Sequence, residues 1–375
     1  MAEGLVSVWA YPWDVARLGI DGAVQLLQDL GVQELSLATT YHSGQVLSLT
    51  KSEPRWITQE SGPLIDLSDD QWRQGDLHFS PRTLVRDLSK ALHAANMSLR
   101  GWTIVAHDKP GWDPVVNVFG DVLPHAPCPI ANADRIRGLI ASLANMEVFS
   151  ALDLEALGFL PAVHGAHHDI LGLKPTPLMQ SLFSICFCDA CEHTFSARLD
   201  WSSLRQAVRG GIGTLLAEEL LSLDNFLLGR PVVGTFFEER SQYLNALLAS
   251  WHETVKVPLV PILMATEQKA SLSWIQGLDP NPTLWQEVIV LGYGDEATLQ
   301  SDWEWLQEKG WDPKKIMIGQ SLLPSVAETF DEARTRVELL LGLGARRFAF
   351  YNLGLLTPAR LQWLHDLAAG IRDPG

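Results

Sequence analysis

Two carboxylates stand two residues apart at the end of an apolar run, Phe149–Glu155. Alternate side chains of a β-strand point to the same face, so Asp153 and Glu155 are expected to enter one site. Two close carboxylates do not both ionise freely, and the pKa of one rises toward the range that a general acid needs at neutral pH. The pair predicts acid/base catalysis. The alternative is two strand-end side chains that bond loop backbone or a neighbouring arginine.

Eight short apolar runs alternate along the chain with amphipathic helical stretches. The runs are apolar on both faces, which is typical of parallel strands covered by helices. Eight strands that are each followed by helix predict a single closed (β/α)8 TIM barrel. The predicted strands are Leu5–Trp9, Glu34–Thr40, Leu99–Ala106, Val148–Glu155, Val257–Ala265, Glu287–Gly294, Lys315–Ser321 and Arg346–Asn352.

Two connections are much longer than the others. Residues 41–79 form a long loop after the second strand, with a small hairpin predicted around Trp56–Asp66. Residues 157–256, between strands four and five, form a predicted helical insertion within a barrel that spans residues 1–375. Long insertions after barrel strands lie over the C-terminal face, where barrel active sites are found. The predicted helices of the insertion are Thr176–Ala197, Trp201–Leu228 and Pro231–Thr254.

Polar and aromatic side chains collect at the predicted C-terminal ends of the strands and in the insertion. Apolar faces of sugar rings stack on aromatic rings, and sugar hydroxyls need fixed donors and acceptors, so this mixture predicts a carbohydrate site. The predicted substrate-binding residues are Trp9, Trp13, His42, Trp102, His107, Asp108, His164, His167, Glu267, Tyr293, Gln320, Tyr351 and Asn352.

The chain resembles known glycosidases at two of these points. The D-x-E that closes the fourth strand resembles the family 18 glycosidase pattern, and Val290–Asp295 on the sixth strand is similar to that family's M-x-Y-D motif. Clan A glycosidases also carry their acid/base glutamate at the end of strand four. The resemblance implies a glycoside hydrolase with Glu155 as general acid/base. It implies as partner carboxylate Asp295 first, then Asp153, and then Glu267.

Three features of those glycosidases are missing, and one is the Asn that precedes the acid/base glutamate of clan A, where this chain has Leu154. Clan A enzymes keep a nucleophilic glutamate on strand seven, where this chain has Gln320, and the D-G-x-D opening of the family 18 signature is absent. A looser similarity is to uncharacterised "hypothetical glycosyl hydrolase" barrel families, over about Leu35 to Phe195. It rests on Tyr41–Gly44, Gly120-Asp121, Cys128-Pro129 and a C-x-C-x-x-C block.

That block, Cys186-x-Cys188-x-x-Cys191, is followed by His193. Thiolates and imidazole are the ligands that zinc takes, and a closed four-coordinate site would brace a long insertion. One helix cannot present all three thiols to one ion without unwinding. The spacing therefore favours either a structural zinc ion held by Cys186, Cys188, Cys191 and His193, or reduced cysteines buried in a helical core.

The composition of the chain limits the classes of binding partner that we expect. The chain has 375 residues, with 28 Lys and Arg against 44 Asp and Glu, for a formal net charge of −16. Nucleic acid and anionic membranes bind clustered positive charge, so neither is an expected partner. No apolar segment reaches the roughly 18 residues that span a bilayer, and Met1–Trp13 lacks the features of a secretory signal. We expect a soluble cytoplasmic protein, with its oligomeric state open.

Two further function classes stay open at this point. Gln320 in place of a strand-seven acid favours a sugar-binding barrel without catalysis. Several histidines at the strand ends are compatible with a metal-dependent hydrolase, although such barrels usually begin with H-x-H on strand one and this chain has Trp9 and Tyr11 there. The glycoside hydrolase, which needs no cofactor and acts on a small or oligomeric carbohydrate, is the favoured hypothesis.

Overall fold

The computed structural model describes residues 4–65, 72–74, 77–163, 170–264, 276–278 and 281–373. Eight parallel strands close into a barrel, in which each strand pairs with its neighbours in chain order and the last pairs with the first. The predicted (β/α)8 barrel is confirmed. Its strands are β1 (Leu5–Ala10), β2 (Glu34–Tyr41), β3 (Ser98–Ile104), β4 (Leu152–Glu155), β5 (Leu259–Leu263), β6 (Val288–Leu291), β7 (Ile316–Ser321) and β8 (Arg347–Tyr351).

Helices follow the strands along the chain. Those of the barrel are α1 (Pro12–Leu18), α2 (Ile20–Asp29), α3 (Pro81–Ala94), α4 (Ala133–Ala144), α10 (Glu296–Glu308), α11 (Phe330–Leu343) and α12 (Pro358–Arg372). Those between β4 and β5 are α5 (Pro177–Ser184), α6 (Asp189–Phe195), α7 (Trp201–Leu216), α8 (Leu223–Gly229) and α9 (Pro231–Thr254). None of these helices has the length and apolar character needed to cross a bilayer.

The insertion differs from the prediction in where its helices break. The predicted helix Thr176–Ala197 is the pair α5 and α6, because the chain from Ile185 to Cys188 is not helical. The predicted helix Trp201–Leu228 is the pair α7 and α8, with Glu218 in the left-handed region at φ 55° between them. The third predicted helix has the bounds of α9.

Hairpins leave the barrel after β2 and β3. Gly44–Ser48 pairs antiparallel with Arg55–Gln59, so the hairpin expected around Trp56–Asp66 begins earlier than predicted. Trp72–Gln74 pairs with Leu77–Phe79. After β3, Pro114–Val116 pairs with Val122–Pro127, and this hairpin is not among the predicted elements.

The insertion has a hydrophobic core of its own. Side chains of α5 to α9, including Phe195, Phe226 and Phe236, pack with Val115 and Cys128 from the region after β3. The barrel and its outer helices share a separate core. The connections after β3 and β4 are thereby joined into one packed unit.

A charged network lies inside the barrel near the N-terminal ends of its strands. Arg100 Nη2 of β3 lies 2.6 Å from Asp153 Oδ1 of β4, and Ser36 Oγ of β2 donates to Asp153 Oδ2 at 2.6 Å. Arg100 also contacts Glu34 at 3.7 Å and Glu287 at 3.4 Å. Burial disfavours its charge, but these carboxylates outweigh burial and raise the pKa of Arg100. The network neutralises groups that would be costly to bury alone.

Candidate active site

Glu155 ends β4 and lies under the aromatic side chains of the barrel mouth. Trp102 Nε1 of β3 donates a hydrogen bond to Glu155 Oε2 at 2.7 Å. Burial raises the pKa of Glu155, and the hydrogen bond from Trp102 opposes that rise because it stabilises the carboxylate. The net effect favours the protonated form, from which a general acid must start.

Three tyrosines, Tyr41, Tyr293 and Tyr351, lie close to this carboxyl group, and a fourth, Tyr11, contacts Tyr351. Tyr351 OH lies 3.0 Å from Tyr11 OH and 3.3 Å from Tyr41 OH. Burial raises the pKa of Tyr41, Tyr293 and Tyr351, and the nearby charge of Glu155 raises it further. Their phenols therefore stay neutral and offer both donors and acceptors to a polar ligand.

Tyr11 and Tyr41 are absent from the predicted set of site residues. Their positions after β1 and at the end of β2 were a signal, since strand ends of a parallel barrel meet at one face. The sequence gives no sign that their hydroxyls meet across more than 300 residues at Tyr351. Tyr293 and Tyr351, which were predicted, both lie close to Glu155.

Asp14, a buried residue of α1, ties together three of the loops that carry these tyrosines. Its carboxylate accepts hydrogen bonds from Ser48 Oγ and Thr50 Oγ1, each at 2.7 Å, and from the Tyr11 amide at 3.2 Å. A Cβ on Gly354 would lie 2.1 Å from Asp14 Oδ2, so this position after β8 requires glycine. The buried carboxylate thus positions the loops after β1, β2 and β8 against one another.

Next to the tyrosines, a cavity of about 680 Å³ is lined by three histidines, His42, His107 and His125. The rings of His42 and His107 have centroids 4.7 Å apart, and His42 stacks on Tyr41 at 4.2 Å. Burial lowers the pKa of His42, which favours its neutral imidazole. Asp108 accepts hydrogen bonds from Ser43 N at 2.9 Å and Ser43 Oγ at 2.5 Å. The structure thus brings the predicted residues His42, His107, Asp108 and Tyr351 together.

Other predicted binding residues have structural roles. Trp9 is 2% exposed inside the barrel, and Trp13 is fully buried in α1, where its ring stacks on Tyr11 at 4.5 Å. The amide of Gln320 donates to Gly292 O at 2.8 Å, and the side chain of Asn352 accepts from Gly354 N at 3.1 Å. Packing encloses Trp9 and Trp13, and backbone hydrogen bonds hold Gln320 and Asn352, so their predicted contacts with sugar stay predictions.

Both described candidates for the second carboxylate are bonded elsewhere in the protein. Asp153 is fully buried in the charged network, and its oxygens are bonded to Arg100 and Ser36. This matches the alternative reading of the D-x-E pair, in which an arginine holds the first acid. Asp295 is exposed and caps α10, where it accepts from Thr298 N at 2.9 Å. The predicted residues Glu267, His164 and His167 lie outside the described residues.

Four thiols form a compact cluster beside the insertion core. Cys128, Cys186, Cys188 and Cys191 have Sγ atoms that all lie within 4.8 Å of one another. Cys128 Sγ is 3.5 Å from Cys191 Sγ and 3.8 Å from Cys188 Sγ. His193 is exposed on α6, so the fourth member is Cys128 and not the predicted histidine.

The break between α5 and α6 explains how three nearby cysteines reach one point. Cys186 and Cys188 precede α6, Cys188 is its N-cap, and Cys191 lies in its first turn. The guanidinium of Arg240 lies 4.4 Å from the centroid of the Phe159 ring. Burial lowers the pKa of Arg240 to about 10, and the nearby cysteines oppose that decrease electrostatically. A cation thus stands close to the four thiols.

Comparison with protein-family models and with curated protein sequences gives no match. Among solved structures, the catalytic domain of β-amylase from Paenibacillus polymyxa matches with a TM-score of 0.59 at 10% identity, over 99% of both chains. The β-galactosidase from Bacillus circulans sp. alkalophilus matches with a TM-score of 0.56 at 12% identity, over 100% of this chain and 56% of that one. The β-galactosidase from Marinomonas ef1 matches with a TM-score of 0.54 at 10% identity, over 98% of this chain and 59% of that one. The chain spans little more than half of those galactosidases. It shares the barrel fold of these glycoside hydrolases.

Proposed function

We propose that this protein is a glycoside hydrolase in which Glu155 is the general acid. The observation that carries the proposal is the partly buried carboxyl group at the end of β4, with its pKa raised by burial and its orientation fixed by Trp102. A carboxylic acid of raised pKa is the group that protonates the leaving oxygen in glycoside hydrolysis. The shared fold with an amylase and with galactosidases supports the same reaction class.

In the proposed reaction, the scissile oxygen lies within hydrogen-bond distance of Glu155. The acid gives its proton to that oxygen as the bond to the sugar carbon lengthens, so the leaving group departs as a neutral alcohol. Hydroxyls of Tyr11, Tyr41 and Tyr351 are already ordered at the mouth, and they would hydrogen-bond the sugar without further loss of side-chain freedom. Neutral His42 would serve as another donor or acceptor.

The carboxylate that assists this step stays a prediction. Asp153 and Asp295 are held in structural roles, by Arg100 and by the start of α10. Glu267 was predicted as a further candidate and follows β5 in the sequence. Turnover by Glu267→Gln, compared with turnover by Asp295→Asn, distinguishes these two candidates.

The non-catalytic alternative has one specific observation in its favour. Gln320 occupies the strand-seven position and donates its amide to backbone, so β7 supplies no acid at the mouth. Sugar binding without any turnover would support this alternative. The metal-dependent hydrolase lacks such support, because the four cysteines are the only group of three or more candidate ligand side chains found within the described parts of the chain.

The hydrogen bond from Trp102 makes a pH prediction. It lowers the pKa of Glu155, so Trp102→Phe should raise that pKa further. A general acid loses activity as pH rises through its pKa, and we expect the basic limb of the kcat/KM profile to move to higher pH in the variant. Trp305→Phe on α10 is the matched control and should leave the limb in place. A limb that is unchanged in Trp102→Phe, or moves to lower pH, contradicts the assignment.

We also propose that the four cysteines hold a structural zinc ion. A tetrahedral site with Zn–S bonds of about 2.3 Å places its sulfurs roughly 3.8 Å apart, and the Sγ distances of 3.5 and 3.8 Å fit that geometry. Four thiolates around Zn²⁺ carry a net negative charge, which the nearby Arg240 would offset. The ion would join the segment after β3, through Cys128, to the start of α6.

Metal analysis of protein purified without chelator tests the zinc site. We expect about one zinc ion per chain, and loss of most of it in Cys128→Ser, since three thiolates form an incomplete site. The same variant should unfold at lower temperature because the link between α6 and the segment after β3 is lost. His193→Gln is the matched control and should keep its zinc. A metal-free parent protein, or zinc lost only in His193→Gln, would refute the four-cysteine site.

A further inference from the structure

Trp56 is exposed on the hairpin that follows β2. Its side chain is 65% exposed, and among the tryptophans whose side chains the structure describes it is the one that belongs to the exposed class. It pairs across the hairpin with Leu47, which is 36% exposed, so the two form an apolar strip on the outer face. Tryptophan is highly buried on average, so an exposed tryptophan ring beside a groove is a candidate for ligand contact.

The strip continues into the mouth of the barrel. A groove of about 930 Å³ runs along the hairpin from Trp56 to Asp108, and it is lined by Gln45, Thr58 and Ser61. The mouth cavity beside the tyrosines shares Ser43, Gly44, Gln45, Gln59 and Asp108 with this groove. One surface thus leads from the tyrosines near Glu155 to the Trp56 ring.

The chemistry along this path is that of a neutral polar chain. The groove is lined by amide and hydroxyl side chains and by one aromatic ring, Trp56. Its charged groups are the carboxylates Glu60 and Asp108. Carboxylates disfavour an anionic ligand, and the net charge of −16 disfavours it further. Hydroxyls and apolar ring faces on the same ligand would satisfy both the amides and the tryptophan.

We propose that Trp56 is the platform of a distal sugar subsite, so that the substrate is a neutral oligosaccharide extending from the mouth over the outer face of the Gly44–Gln59 hairpin. The proposal rests on the proposed glycosidase function and adds its substrate class. It distinguishes an oligosaccharide from a monosaccharide glycoside, because the substrate would have to extend from the mouth cavity along the groove to Trp56. Ile57, which follows Trp56, lies on the opposite side of the hairpin and is buried, so the substrate would contact the side that carries Trp56.

Calorimetric titration tests the subsite. The probes are gluco-, galacto-, manno-, xylo- and chito-oligosaccharides of one to six sugars, added to the Glu155→Gln protein so that they are not hydrolysed. We expect affinity for the recognised series to rise with chain length, and Trp56→Ala in that background to weaken the longest member by about 10- to 100-fold more than the shortest. Trp56→Phe should retain most of the gain. Phe119 is an exposed aromatic on the hairpin formed by Pro114–Val116 and Val122–Pro127. Phe119→Ala is the matched control and should not alter the gain in affinity with chain length.

Three results would overturn the subsite: equal affinity at all lengths, an equal loss at all lengths in Trp56→Ala, or no binding by any series. These outcomes are separate from failure of the proposed function, which is measured by turnover of the Glu155→Gln protein. A length-dependent loss together with full turnover by that variant would keep the Trp56 subsite and remove Glu155 from the role of general acid.

Discussion

Glu155→Gln should lower kcat/KM for a glycoside by about 10²- to 10⁴-fold, the range that general acid catalysis contributes. Glutamine can still accept the hydrogen bond from Trp102 but cannot give a proton to a leaving group. We expect the unfolding temperature to stay near that of the parent, because no ion pair of Glu155 is lost. Steady-state kinetics on a glycoside that the parent hydrolyses, with thermal unfolding alongside, makes the measurement.

Glu304→Gln on the exposed face of α10 is the matched control for this substitution. It makes the same Glu-to-Gln change on a surface helix and should leave kcat/KM within about twofold of the parent. Turnover by Glu155→Gln at the level of this control would show that another residue supplies the proton.

Arg100→Met should destabilise the barrel by about 3–5 kcal/mol, the cost of removing one partner from a buried ion pair. Asp153 would keep the bond from Ser36, but its charge would be left without the cation 2.6 Å away. Glu34 would lose the same partner, while Glu287 would keep Arg347 at 2.9 Å. Urea unfolding at neutral pH measures the change in the free energy of unfolding.

Two further variants serve as controls for Arg100→Met. Arg137→Met removes an exposed arginine from a pair with Asp134 and should cost less than about 1 kcal/mol. Arg100→Met combined with Asp153→Leu removes both partners and should be less destabilised than Arg100→Met alone, because no unpaired Asp153 charge is left buried. If Arg100→Met unfolds within about 1 kcal/mol of the parent, the interior network does not stabilise the barrel as described.

The barrel was predictable from the sequence because its signals are local. Each strand is a short apolar run, and features such as Gly344 and the Thr329–Glu332 capping box mark helix ends within a few residues. The breaks between helices of the insertion were not predicted because their cause is not local in the sequence. Residues 185–188 have helix-compatible neighbours, and the cluster that includes the distant Cys128 lies at the break.

The site was predictable in part. Strand position alone placed His42, Asp108 and Tyr351 at one cavity, since all parallel strands end at one face. Strand alternation correctly put Asp153 and Glu155 on the same side, but it could not show that they lie at different depths. Asp153 lies in the charged network with Arg100, whereas Glu155 is near the tyrosines. Which layer a side chain joins depends on register between strands, which no single segment encodes.

The decisive experiment for Glu155 as the general acid is the dependence of the Glu155→Gln effect on the leaving group. A leaving group that is a stable anion needs no proton, whereas a poor one depends on the general acid. With aryl glycosides of one hydrolysed sugar, we expect a small loss of activity for dinitrophenyl leaving groups and a loss that grows steadily toward unsubstituted phenol. An equal loss for every leaving group, or no loss for any, would contradict the role of Glu155 as the general acid.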